Sequence, residues 1–231
     1  MTIANNIAHI RRQMEQAAIR AGRDPKEILL CAATKMNDSD AVRQAIAAGV
    51  DCCGENRVQE LTAKLADNAY AGKPVHFIGH LQTNKVRQVV GKVDLIQSVD
   101  SVRLLEAIAK EASRQGIRQD ILLEVNIGQE ESKSGFTVSE LYSVLEKIGS
   151  LGSISVRGLM AIPPICQEKT DNHKFFQEMC NLSVDITAKK YDNVLVNVLS
   201  MGMSGDFEDA IACGSTMIRI GTAIFGQRNY Q

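Results

Sequence analysis

The sequence predicts a single (β/α)8 TIM-type barrel with an additional N-terminal helix, on three observations. Eight short apolar runs recur along the chain, at residues 28–34, 51–56, 75–80, 95–99, 121–127, 154–162, 194–201 and 217–224. Helical patterns lie between them, among others at 41–48, 102–114, 139–148 and 173–190, an order that implies βα units and parallel pairing. Several runs are apolar almost throughout, as strands buried on both faces are. A doubly wound open sheet is the alternative. No G-x-G-x-x-G follows the first run, however, and eight units in 231 residues close most economically as a barrel.

Ahead of the first strand, Ile3, Ile7, Ile10, Met14 and Ala18 recur at helical spacing among polar residues. That is an amphipathic helix of the mature fold, not the charged-then-apolar order of a signal peptide. The cluster Asn37-Asp38-Ser39-Asp40 opens the helix after the first strand. Ile162-Pro163-Pro164-Ile165 reads as a stiff turn, because each proline fixes its own φ and biases its predecessor to extended geometry. No composition break or low-complexity tract marks a linker, so residues 1–231 read as one domain.

Hydrophobic residues make up 45% and charged residues 23%, with a formal net charge of -1 and scattered basic side chains. These values speak against nucleic acid or an anionic membrane as the main partner. No apolar stretch is long enough to span a bilayer. The six cysteines, Cys31, Cys52, Cys53, Cys166, Cys180 and Cys213, contain no C-x-x-C pair. Small buried thiols in a reduced, cytoplasmic protein are expected.

Strand parity singles out two residues. Cys31, Ala33 and Lys35 share one face of the first strand, and Leu30, Ala32 and Thr34 the other. An amine on a rigid strand end can be partly desolvated, which leaves it free to condense with a carbonyl; the bland alternative is a lysine snorkelling to water. On the last strand, Met217, Arg219 and Gly221 face inward while Ile218 and Ile220 face the helices. An inward arginine is costly unless something occupies its donors.

Barrels of this kind commonly bind phosphate in the loops after the seventh and eighth strands. Here those segments read Leu199-Ser200-Met201-Gly202-Met203-Ser204-Gly205-Asp206 and Arg219-Ile220-Gly221-Thr222. Glycines admit close approach of an anion, a helix starting near Asp206 would aim amides at it, and Ser200, Ser204 and Thr222 add hydroxyls. Such turns are often only turns; their placement at both final strands favours phosphate. A carbonyl-reactive lysine, an inward arginine and a phosphate cradle point to a phosphorylated carbonyl ligand. Pyridoxal 5′-phosphate (PLP) fits best, with Arg219 as partner of the ring nitrogen.

The chain closely resembles the pyridoxal phosphate homeostasis protein family, single-domain relatives of the alanine racemase N-terminal barrel. The resemblance runs nearly end to end. It rests on Ala33-Thr34-Lys35, Gly54-Glu55-Asn56-Arg57-Val58-Gln59-Glu60, His76-Phe77-Ile78-Gly79-His80-Leu81-Gln82-Thr83-Asn84-Lys85, Ser132-Lys133-Ser134-Gly135, Arg157-Gly158-Leu159-Met160, Leu199-Ser200-Met201-Gly202-Met203-Ser204, and Arg219 to Gly226. It implies that Lys35 carries PLP as a Schiff base and that Ser200, Gly221 and Thr222 hold the phosphate. It also implies that Arg219 faces the pyridine nitrogen and that Asn56 lies near the ring. The family is associated with PLP homeostasis, and no secure catalytic activity is attached to it, so no catalytic residue is assigned.

Other constellations read more plainly. His76 and His80 share a strand face, but no further His, Cys or Asp pattern completes a ligand set, so packing or hydrogen bonding is expected and no metal is assigned. Cys52 and Cys53 point to opposite faces. Glu55 reads as partner to a nearby arginine ahead of a general base. Glu130-Glu131-Ser132-Lys133 is expected to be a solvated loop on the functional face, with Lys133 a minor candidate for a second PLP.

Three functions compete. The first is a cytoplasmic, monomeric carrier that holds PLP reversibly, buffers the free aldehyde and hands it to apo forms of PLP-dependent enzymes. The second is an amino-acid racemase of low activity, which needs an acid/base on each face of the cofactor; Lys35 is the one well-placed proton carrier in view, with no second domain to supply another, and Tyr70, Tyr142, Tyr191 and Tyr230 are no evident replacement. The third is a Schiff-base aldolase without cofactor.

Overall fold

Eight parallel strands hydrogen-bond in chain order and close into a barrel in this computed structural model, which describes residues 2–130, 133–164 and 169–226. The strands are β1 (Leu29–Ala33), β2 (Cys52–Glu55), β3 (Val75–Phe77), β4 (Leu95–Val99), β5 (Gln119–Glu124), β6 (Ile154–Met160), β7 (Val194–Ser200) and β8 (Met217–Ile220). The helices are α1 (Ile3–Arg20), α2 (Ser39–Ala47), α3 (Val58–Ala66), α4 (Val102–Gln115), α5 (Val138–Ile148), α6 (Lys169–Lys189), α7 (Phe207–Ala212) and α8 (Thr222–Phe225), with a 3-10 segment at Thr83–Gln88 between β3 and β4. Glu131, Ser132, Ile165, Cys166 and Tyr230 lie outside the described residues.

The predicted barrel and its extra helix are both present. Thr2 caps α1 by accepting a hydrogen bond from the amide of Asn5 at 3.2 Å. Of the predicted stripe, Ile7, Ile10, Met14 and Ala18 are buried and Ile3 is half-buried, each large buried side chain contributing about 1.5–3 kcal/mol. Thr137 and Glu140 form a capping box on α5. Among the described residues, no helix is long and apolar enough to cross a membrane.

Parity sorts the side chains as the sequence predicts. Leu30, Ala32, Cys53, Ile218 and Ile220 join the main core beneath the helices, whereas Cys31, Cys52 and Met217 form a separate cluster within the ring. β1 closes on β8 with Cys31 opposite Arg219 and Ala32 opposite Ile220.

The strand ends differ from expectation, each for a local reason. β1 stops at Ala33, because Met36 takes a left-handed conformation (φ 60°) and the chain turns at Lys35. β3 stops at Phe77 instead of residue 80, so His76 and His80 do not share a strand face. β5 begins earlier, at Gln119, where polar residues hide the apolar signal. β8 ends at Ile220, since Gly221 bends into the helical region and α8 follows at once.

Gly158 holds the ring at its tightest point. Its φ is 150°, the pairing registers on both sides of β6 shift around it, and an added Cβ would lie 1.8 Å from the carbonyl oxygen of Val198. Neither backbone nor a strand oxygen can yield by that much. Gly158→Ala is expected to lower stability by about 3 kcal/mol or more, read as a fall in the urea midpoint; an unchanged midpoint would mean that β6 and β7 separate easily.

Candidate functional site

The C-terminal ends of the strands gather nearly every residue that the sequence singles out. Lys35 is half-buried in the turn that follows β1, and Asn37 donates from Nδ2 to its carbonyl oxygen at 3.0 Å. Behind that turn, on the helix side of the sheet, lies a buried polar network. Glu55 accepts hydrogen bonds at Oε1 from Lys64 Nζ (2.6 Å), Thr34 Oγ1 (2.5 Å) and Tyr70 OH (3.2 Å). Lys64 Nζ also donates to the carbonyl oxygen of Thr34 at 2.8 Å, immediately before Lys35. The partner of Glu55 is therefore a lysine, not the arginine expected. The side chains concerned come from β2, α3 and the segment after it, which no short sequence pattern links. Burial, ahead of the neighbouring Glu55, pushes the Tyr70 hydroxyl far above its usual range and keeps it a donor.

Arg219 is buried, with 5% of its surface exposed, on the inner face of β8. Its Nη1 donates to Ser200 Oγ at 2.6 Å and its Nη2 to the carbonyl oxygen of Ala161 at 2.9 Å. Burial lowers the affinity of the guanidinium for its proton, and Cys31, Glu124 and Asp206 oppose that shift. Ser200 passes its own hydroxyl proton to Gln97 Oε1 at 2.7 Å. The hydroxyl of Ser200 thus fixes Arg219, while Ser204 and Thr222 stay exposed at the rim. The two glycine-bearing loops do meet there, for the amide of Ala223 donates to Ser204 Oγ at 3.4 Å. Gly202 lets its loop pack closely on α7: its φ is 93°, and an added Cβ would lie 2.6 Å from Ala210 Cβ.

Asn56, just past β2, carries the clearest mark of a ligand site. Its Oδ1 is buried and has no hydrogen-bond partner among the described residues, a costly condition unless a bound group completes it. A lysine amine, a donor-only guanidinium, an unpartnered amide oxygen and a glycine-lined rim together fit a planar phosphorylated aldehyde.

Glu124 is the residue that sequence reasoning missed. It ends β5, four strands from β1 in either direction around the ring, and by parity with the inward Leu122 it faces the interior. Burial and the nearby Asp100 raise its pKa to about 7, against the pull of Arg219 and His80. His80 itself is mostly exposed and pairs with Asp100 at 3.0 Å. Lys133 is committed to an ion pair with Glu130 and a hydrogen bond to the carbonyl oxygen of Pro163 at 3.1 Å. Tyr142 donates to Asp185 at 2.5 Å.

The spacing along the chain shows no further ligand for His76, but the parallel register brings two thiols to it. Cys31, Cys52 and His76, from three adjacent strands, place their ligand atoms within 4.8 Å of one another in the barrel interior. Elsewhere, a groove of about 620 Å³ opens at the opposite end of the barrel, where Arg157 pairs with Asp120 at 2.8 Å; it lies away from Lys35.

Comparison with known proteins adds the following. Residues 2–229 match the family "Alanine racemase, N-terminal domain". A pyridoxal phosphate homeostasis protein of Aquifex aeolicus is 39% identical over 230 residues, covering 100% of both chains. One from Escherichia coli K12 is 38% identical over 231 residues, covering 99% of this chain and 97% of that one. Among solved structures, PipY of Synechococcus elongatus with PLP bound has a TM-score of 0.84 and 32% identity, covering 97% of this chain and 100% of that one. An alanine racemase of Clostridium difficile shares the fold at 13% identity, with a TM-score of 0.70 over 96% of this chain and 57% of that one.

The environment of Glu124 has a consequence for stability. A carboxyl whose folded pKa lies near 7, above its unfolded value of 4.5, binds more protons in the folded state. Its stabilising contribution is present below about pH 4.5 and is lost as pH rises through 7. Glu124→Gln should remove that loss. The variant is expected to be more stable than the parent at pH 8, by on the order of 3 kcal/mol, and to converge with it near pH 4; parallel urea-midpoint curves from pH 4 to 8 would contradict this.

Proposed function

The chain belongs to the pyridoxal phosphate homeostasis protein family, and on that premise we propose that it holds PLP at the C-terminal mouth of the barrel through the amine of Lys35. It buffers the free cofactor in the cytoplasm and hands it to apo forms of PLP-dependent enzymes. When bound, PLP supplies an aldehyde that condenses reversibly with a primary amine. The observation that carries the reading is the buried Oδ1 of Asn56, which has no hydrogen-bond partner among the described residues, together with the likeness to a full-length relative whose structure holds PLP.

Each residue then has a role. The network of Glu55, Lys64 and Thr34 fixes the end of β1 and so the position of Lys35. Arg219 meets the ring nitrogen with a donor that keeps its proton, which leaves that nitrogen unprotonated. Ser200, whose hydroxyl also accepts from Arg219, holds the phosphate together with the amide and hydroxyl donors of Gly221 and Thr222. Asn56 meets the edge of the ring. Borohydride reduction of the PLP-loaded chain is expected to fix the cofactor on Lys35, as found by peptide mapping. Lys35→Ala should abolish this with the unfolding midpoint within about 0.5 kcal/mol of the parent. Reduced cofactor on another lysine would remove Lys35 from the role.

Glu124 favours a second reading, a racemase of low activity. Lys35 and Glu124 end strands on opposite sides of the ring, and a carboxyl with a pKa near 7 can both take and give a proton. Conversion of L-amino acids to their D-isomers by PLP-loaded chain separates the two. The carrier reading expects turnover below about 1 s⁻¹. Faster turnover that falls by about 10²–10⁴-fold in both Lys35→Ala and Glu124→Gln would establish the enzyme.

A further inference from the structure

Beside Arg219, which stands opposite Cys31 in the β1/β8 register, the barrel interior holds a group of soft ligands to which the proposed PLP site assigns no role. Cys31 and Cys52 stand opposite each other on β1 and β2, and Met217 on β8 packs against them. His76 on β3 stands opposite Gly54 on β2. Gly54 leaves the path from the imidazole to the sulfurs open: an added Cβ there would lie 2.9 Å from Cys31 Sγ. The nearest atoms of Cys31, Cys52 and His76 fall within 4.8 Å of one another, and all three side chains are buried. Met217 Sδ lies 3.1 Å from Gln97 Nε2, and the same Gln97 nitrogen lies 2.9 Å from His76 Nδ1. Gln97 therefore occupies Nδ1 and leaves Nε2 as the imidazole's ligand atom.

We propose that Cys31, Cys52 and His76 form a binding site for a thiophilic d10 metal ion, Zn²⁺ or Cu⁺, with the thioether of Met217 as the fourth donor. Two thiolates, an imidazole and a thioether in a water-poor interior are the donor set that selects these ions over hard cations such as Mg²⁺ or Ca²⁺. Mutual separations below 4.8 Å suit ligands spaced around one centre at about 2.0–2.3 Å. On binding, the thiol protons leave to solvent and the ring proton moves to Nδ1, where Gln97 accepts it once its amide turns over. Gln97 is then the outer partner that orients a metal-bound histidine.

The test needs no PLP and stands apart from the carrier reading. Reduced, chelator-treated chain is incubated with Zn²⁺ in one arm and Cu⁺ in the other, desalted, and assayed for bound metal by mass spectrometry. About one ion per chain is expected in at least one arm, and the arm that retains it identifies the ion. Co²⁺ added to the native chain should give a thiolate charge-transfer band in the near ultraviolet, a readout that requires no variant. His76→Gln and Cys52→Ala should bind an order of magnitude or more weakly, whereas Cys53→Ser, the outward thiol on the same strand, should bind as the parent does. Absence of retained metal from the native chain in both arms overturns the proposal. So does a native chain that loses two hydrogens to form a Cys31–Cys52 disulfide and takes up neither ion when reduced; the pair would then be a redox couple.

Discussion

A guanidinium sealed inside a barrel must be satisfied by its surroundings, and at the mouth of this one the surroundings are organised by Arg219. An unpaired buried charge costs several kcal/mol. Ser200 on β7 and the carbonyl of Ala161 just past β6 take two of its donors, so three neighbouring strand ends are tied to one side chain. The hydroxyl of Ser200 passes the constraint to Gln97 on β4, across the ring, and Gln97 passes it to His76 on β3. A single chain of hydrogen bonds thus runs from the cofactor end of the barrel to its sulfur-lined interior. The guanidinium so fixed can donate to an acceptor in the mouth and cannot accept from a donor.

The second fixed point sits on the other side of β1. Glu55, Lys64, Thr34 and Tyr70 form a buried network behind the mouth, on the helix side of the sheet, whose value is positional. It holds the end of β1, where the left-handed turn at Met36 begins. A lysine on a mobile loop would sample water and keep its ammonium form; one held at a rigid strand end has a defined place in which to meet an aldehyde. Arg219 on β8 and Glu55 on β2 therefore do complementary work on the two strands that flank β1.

What could be read from sequence was whatever has a local period or a local motif. Alternation along 28–34 and 217–224 was sufficient to place Cys31 and Arg219 inside and Ile218 and Ile220 outside. The motif around Lys35 was legible for the same reason. Features assembled from several strands were not. Cys31, Cys52 and His76 are separated by many residues, and only the parallel register brings them together. Nothing in the run ending at Glu124 distinguishes it from a solvent-facing acid; burial and Asp100, which follows the neighbouring strand, make it different. The ends of β3 and β8 were misjudged because apolar residues continue past the last ladder bond into Ile78 and into α8.

Glu124 and Arg219 also bear on why such a site would hold a cofactor without consuming it. On the proposed reading, an arginine at the ring nitrogen would leave the ring a weaker electron sink than a protonated nitrogen would, and removal of an α-proton from a bound amino acid would be disfavoured however well an acid/base is placed. Glu124 acts in the opposite direction: it lies across the ring from Lys35 and exchanges a proton near neutrality. The two effects differ in kind. A placed acid/base is worth about 10²–10⁴-fold, and it can act only on a carbanion that the ring agrees to stabilise. The ring nitrogen therefore sets the ceiling and Glu124 can only approach it. On the proposed reading, a site built this way would retain aldehyde through Lys35 and limit the chemistry that would otherwise deplete whatever amino acid enters.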